Sequence, residues 1–125
     1  MLDGFVKIGY YHLTEDGVCD AVLHEGVSKY LRVSLVYMFV VDEDIKYIGK
    51  TIQGYIRPLT YHKNKVMSDV NGGITEECSK GKIVKIYARK FDKPFIFEDL
   101  ELDLCEAYEQ ALISKYKPEW NNHIR

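Results

Sequence analysis

The sequence predicts an α+β fold, a small central three-stranded antiparallel sheet flanked by helices, with an N-terminal β-hairpin extension. Three observations predict it. An apolar, β-branched run from Val33 to Val41 is followed by the acidic turn Asp42-Glu43-Asp44 and a second short run, Ile45-Lys46-Tyr47-Ile48, that stops at Gly49. Two such runs around a short polar loop read as a β-hairpin. Residues Lys82 to Arg89 alternate well enough to be the third strand. From Leu100 to Tyr116, apolar residues at Leu104, Ala107, Tyr108, Ala111, Leu112 and Tyr116 recur at helical spacing, and Pro118 stops the element.

Taken in chain order, Phe5 to His12 is strand-like, Glu15-Asp16-Gly17 is a turn, and Val18 to Leu23 is the returning strand. This hairpin either extends the central sheet or forms a dimer contact. In the next hairpin, alternation puts Tyr37 and Phe39 on one face and Met38 and Val40 on the other, so that Tyr37 and Tyr47 face each other across it. After Gly49, the positions of Ile52, Tyr55, Ile56 and Leu59 are helical, against the counter-signal of Gly54 and Pro58. Arg57 then falls about two turns into that helix, with Tyr61 on the same face. Asn71-Gly72-Gly73 is expected to break any helix, leaving Ile74 to Ser79 for a short one. Phe91-Asp92-Lys93-Pro94 ends the third strand, because proline cannot continue a paired strand. Trp120 is expected to pack back on the domain.

Composition bounds the rest. A chain of 125 residues, 46% hydrophobic, is expected to form one globular domain around one core. No apolar run approaches the length of a membrane span, so no membrane partner is expected. Cys19, Cys78 and Cys105 form no C-x-x-C pair, which predicts reduced thiols, a cytoplasmic location and no metal framework. The net charge of −2 does not announce a nucleic-acid binder, but its distribution does more. Between Ile45 and Met67 stand Lys46, Lys50, Arg57, Lys63 and Lys65 with no acid, and the acids gather between Glu98 and Glu109. A phosphodiester-binding face beside metal ligands requires such a separation. Lys7, the one Lys or Arg in the first 28 residues, is a weaker candidate for a phosphate contact.

Val36-Tyr37, then Tyr47-Ile48-Gly49, then Arg57, and finally Glu109 followed by Asn121, form an ordered set. That set resembles the GIY-YIG nucleases, and among them the small stand-alone phage and restriction-type endonucleases. The resemblance spans residues 35–121, with residues 1–34 as the hairpin extension of a single domain over 1–125. Leu35 stands where the family carries glycine; a strand tolerates leucine better, so the departure bears on local backbone approach.

The resemblance implies a Mg²⁺-dependent endodeoxyribonuclease, with Mn²⁺ as an acceptable substitute. Glu109 would be the metal ligand and Arg57 the fork that meets the phosphate as negative charge accumulates. A tyrosine would activate water: Tyr37 first, Tyr47 second, tuned by Lys46, Lys50 and the metal, because an unperturbed phenol has a pKa of roughly 10. Tyr61, or its rival His62, would orient water or phosphate, and Asn121 would order the site through its amide. Lys46, Lys50, Lys63, Lys7 and the backbone at Gly49 are the expected DNA contacts. The partner would be double-stranded DNA, cut in the host cytoplasm if the protein is phage-encoded. Because one small site cuts one strand, a homodimer or higher oligomer is expected. The alternatives are a catalytically silent DNA-binding module on the same scaffold and an interaction domain with no nucleic-acid role.

Overall fold

The computed structural model describes residues 2–27, 32–61 and 69–124. Among them the elements run β1 (Val6–Leu13), β2 (Cys19–Leu23), β3 (Leu35–Val41), β4 (Asp44–Thr51), α1 (Ile56–Leu59), α2 (Asp69–Ser79), β5 (Val84–Lys90), β6 (Phe95–Phe97), β7 (Leu100–Leu102) and α3 (Leu104–Tyr116), with a 3-10 segment at Glu119–Ile124. The expected three strands, β4-β3-β5, are antiparallel and lie side by side. The N-terminal hairpin joins them through β1, which pairs with β5, giving one five-stranded sheet in the order β2-β1-β5-β3-β4. The hairpin thus extends the central sheet, one of the two uses expected of it.

No residue of β3 is more than 2% exposed. A strand covered on both faces needs apolar residues at every position, which is why its sequence lacks alternation. Its two faces nevertheless go to different cores. Leu35, Tyr37, Phe39 and Val41 pack with Tyr55, Tyr61, α2 and Trp120. Val36, Met38 and Val40 pack with Ile48 and with Cys105 and Leu112 of α3. The β3–β4 turn is tighter than expected: Val41 pairs with Asp44, and Asp42 and Glu43 both take positive φ, at 51° and 72°. Such a turn matches the right-handed strand twist.

Four expectations need correction. The element after Gly49 is a single turn, not a helix of two or more. Gly54 sits at φ 67° and Pro58 lacks an N–H, so regular structure starts only at Ile56, and Ile52 is 77% exposed. Conversely, α2 runs through Asn71-Gly72-Gly73. A Cβ at Gly73 would collide with the Trp120 indole, so this glycine admits the ring that docks there. Residues Leu100 to Leu102 are a strand rather than the start of α3, because Glu98 and Asp99 turn at positive φ and fold β7 back on β6. Finally, α3 begins where the Asp103 carboxylate caps the Glu106 N–H, and its buried stripe is Cys105, Glu109 and Leu112, flanked by Tyr108 and Ile113. That is a rotation from the expected stripe, in which Leu104, Ala107 and Ala111 are exposed in the structure.

Candidate active site

Tyr37 on β3 and Tyr47 on β4 lie on one face of the sheet, but not opposite each other. Tyr37 pairs with Gly49 and Tyr47 with Phe39, so the two rings meet diagonally, 6.1 Å between centroids. Gly49 makes this possible. A Cβ there would come 2.7 Å from the Tyr37 Cζ and hydroxyl and 2.8 Å from the Tyr47 ring. Gly49 is buried, which corrects its expected role: its missing side chain gives room to two phenols rather than backbone to DNA.

A third phenol closes the cluster. The Tyr61 ring centroid is 6.1 Å from those of both Tyr37 and Tyr47, and its hydroxyl lies 2.5 Å from that of Tyr37. The Arg57 guanidinium carbon sits 4.4 Å from the Tyr61 ring centroid, a cation–π contact that keeps the expected shared face. His62 and Lys63 lie outside the described residues.

The helical turn carrying Arg57 is too short to hold itself. It is held by Tyr11 of β1, whose buried hydroxyl donates to the Pro58 carbonyl at 2.6 Å and accepts from the Tyr61 N–H at 3.0 Å. Sequence reasoning missed this residue, since it lies upstream of every motif and nothing in its spacing singles it out. Tyr11→Phe keeps the ring but leaves these buried polar groups without their partner, a loss of about 1–3 kcal/mol. Thermal unfolding should show that loss. Any activity lost with it should track the positioning of Arg57 and Tyr61.

Electrostatics set Tyr37 and Tyr47 apart from free tyrosine. Burial pushes the Tyr37 hydroxyl far above the ordinary phenol value, helped by Tyr61 and Tyr47, while Arg57 pulls the other way. Tyr47 is also raised, again mainly by burial, with Tyr61 and Glu109 adding and Arg57 opposing. Among the larger influences, the protein cation acting on both rings is Arg57. Lys46 and Lys50 face acids: Lys46 Nζ is 3.1 Å from Glu119 Oε1, and Lys50 Nζ is 3.3 Å from Glu106 Oε1. Exposed pairs of this kind are weak, so a phosphate can compete for either lysine. Lys7 is on β1, which β5 separates from β3, and its ammonium lies 5.6 Å from the Tyr10 ring centroid.

Glu109 is 8% exposed and lies in the buried stripe of α3. Burial raises its carboxyl above the ordinary carboxylate range, against the Gln110 amide, which donates to Oε1 at 2.9 Å, and the charge of Lys50. None of the ion pairs among the described residues engages it. A buried carboxylate with no ion-pair partner among the described residues suits a hard divalent ion that takes one protein carboxylate and completes its shell with water and phosphate. Among the described residues no group of three or more His, Cys, Asp or Glu side chains forms a fuller cage.

Asn121 acts differently from a free amide. Its Oδ1 accepts from the Ile48 N–H and its Nδ2 donates to the Ile48 carbonyl, both at 3.0 Å, so the side chain imitates a neighbouring strand on the free edge of β4. It is 4% exposed. Whatever ordering it exerts reaches Tyr47 and Gly49 through the Ile48 backbone between them.

No protein family model and no curated protein matches the chain. Solved structures do. A mutant of bacteriophage T4 EndoII superposes with a TM-score of 0.70 at 21% identity, over 94% of this chain and 91% of that one. Restriction endonuclease HPY188I, in complex with product DNA, superposes with a TM-score of 0.54 at 17% identity, over 98% of this chain and 78% of that one. By fold, the chain stands beside these two endonucleases.

Proposed function

We propose that this chain is a divalent-metal-dependent endonuclease of the GIY-YIG type, acting on double-stranded DNA in the cytoplasm. The observation that carries the reading is the convergence of Tyr37, Tyr47, Tyr61 and Arg57 on one sheet face, with the buried Glu109 of α3, which packs on the other face, near enough for its charge to act on Tyr47. The fold shared with two endonucleases supports it. A Mg²⁺ or Mn²⁺ ion held at Glu109 would neutralise the scissile phosphate and lower the proton affinity of groups around it. Arg57, fixed over Tyr61, presents a permanent positive fork to the phosphate oxygens. Tyr37, as the phenolate that a bound metal ion and Arg57 would favour against burial, would accept the proton of the attacking water, and the Tyr61 hydroxyl would donate to that phenolate. Tyr47 is the second choice for this task. Lys46 and Lys50 leave their exposed acid partners for the DNA backbone, and Asn121 holds the β4 edge in register. The deciding experiment is a plasmid-nicking assay with and without Mg²⁺, beside a DNA-binding assay. Metal-dependent nicking establishes the reading, binding without nicking establishes the silent module, and neither leaves an interaction domain.

We also propose that the working form is a homodimer or higher oligomer. The β6–β7 hairpin exposes Phe95, Ile96, Phe97, Leu100 and Leu102, each by 40% or more. Antiparallel self-pairing of β6 about Ile96 would set Phe95 of one copy against Phe97 of the other, twice. The same pairing on the β7 edge would oppose two copies of Glu101, a like-charge clash. Light scattering should show a dimer or larger that Ile96→Lys disperses. A wild-type monomer that still linearises plasmid in one step would refute this.

A further inference from the structure

We propose that Cys19 and Cys78 are a redox modification site, joined by a reversible disulfide when the protein meets an oxidant of the peroxide class. Their Sγ atoms lie 3.1 Å apart although the residues are 59 positions apart in the chain. Cys19 is on β2, partly exposed, and Cys78 is on α2, 0% exposed. The two thiols therefore sit where the N-terminal hairpin meets the helix that covers the sheet. A disulfide needs the sulfurs to close by roughly 1 Å, which a small side-chain rotation supplies.

Three features make the pair reactive in a definite order. Cys19 is the accessible member, and contact with the Cys78 thiol favours its thiolate form, while the Cys78 thiol is held up by that contact and by burial. The thiolate of Cys19 attacks one oxygen of hydrogen peroxide. An S–O bond forms, the O–O bond breaks, and hydroxide leaves, making Cys19 a sulfenic acid. The Cys78 sulfur, losing its proton, then attacks the Cys19 sulfur. The S–S bond forms and water leaves. Two thiols have together lost two electrons, and one peroxide has become two waters. Cys105 is the internal control, since it packs in the other core beneath α3 and burial raises its thiol to about 11.

The test uses the full chain, treated in native buffer with hydrogen peroxide, then denatured and alkylated with iodoacetamide for intact-mass and peptide analysis. The expected product carries one alkylated thiol instead of three, has lost about 2 Da before alkylation, and yields a peptide linking Cys19 to Cys78. Dithiothreitol should restore three alkylated thiols. In Cys78→Ser, Cys19 should stop at the sulfenic acid and be trapped by dimedone. Three free thiols after peroxide treatment, a cross-link through Cys105, or over-oxidised Cys19 beside free Cys78 would each overturn the assignment. The wild-type measurement decides even if the variant fails to fold, and none of these readouts depends on nuclease activity.

Discussion

Glu109→Gln should give a folded protein that binds DNA and cuts it roughly 10³-fold more slowly, a loss of several kcal/mol of transition-state stabilisation. The amide fills the same space in the α3 stripe between Cys105 and Leu112, so packing survives. What disappears is the buried negative charge, and a neutral amide is a poor partner for a hard divalent cation. DNA binding should hold or tighten, because one charge that repels phosphate has gone. Glu106→Gln is the control. Its carboxylate is exposed, pairs with Lys50 and points away from the buried stripe, so cleavage should change little. A Glu109→Gln protein that nicks plasmid at near wild-type rate in Mg²⁺ refutes the assignment, and an inactive Glu106→Gln beside it moves the ligand by one helical turn.

The same variant carries a stability signature that needs no DNA. Burial raises the Glu109 carboxyl, so the native chain binds this proton more tightly than the unfolded chain does. Stability from this group is therefore present at pH below the ordinary carboxylate value and is lost as pH rises through the raised one. At neutral pH the wild type holds an ionised, buried carboxylate, and glutamine does not. In EDTA at pH 7, Glu109→Gln should melt above the wild type, and the gap should shrink as pH is lowered toward about 4. A lower melting temperature for the variant at pH 7 would mean that the carboxylate has a compensating partner.

How far such a site can be read without coordinates depends on which signal carries each part. The β3–β4 hairpin is legible because seven consecutive apolar residues can serve little else than a strand buried on both faces. That Tyr37, Tyr47, Arg57 and Tyr61 come together is what the resemblance carried by their order implies, and the three rings and the guanidinium do meet. Phase and range are less legible. The stripe of α3 was misread because Ala107 and Ala111 count as apolar in a periodicity yet have too little surface to decide which way a helix faces. The β6–β7 hairpin was missed because its turn uses Glu98-Asp99 at positive φ, where the usual signal is asparagine or glycine. Gly73 looked like a breaker because its need, room for the indole of Trp120, arises only when residues far apart in sequence meet. Tyr11 is the extreme case: its hydroxyl bonds residues 47 and 50 positions away, and no local pattern announces that.

Tyr37→Phe should fold and cleave at least roughly 10²-fold more slowly, the usual size of a lost general base. The ring is 1% exposed and packs against Phe39 at 5.6 Å and against Tyr47 and Tyr61 at 6.1 Å, contacts that phenylalanine keeps. Only the hydroxyl and its 2.5 Å contact with the Tyr61 hydroxyl are lost, at a net cost of about 1 kcal/mol. A melting temperature within a few degrees of wild type, together with unchanged DNA affinity, would place the deficit in the chemical step. Tyr47→Phe separates the two phenols. Tyr47 is the less buried ring and the one that senses Glu109, so as a second contributor it should lose less than Tyr37 does. Should Tyr47→Phe be inactive and Tyr37→Phe active, the base is Tyr47, and the buried hydroxyl of Tyr37 serves to hold Tyr61 beneath the guanidinium of Arg57.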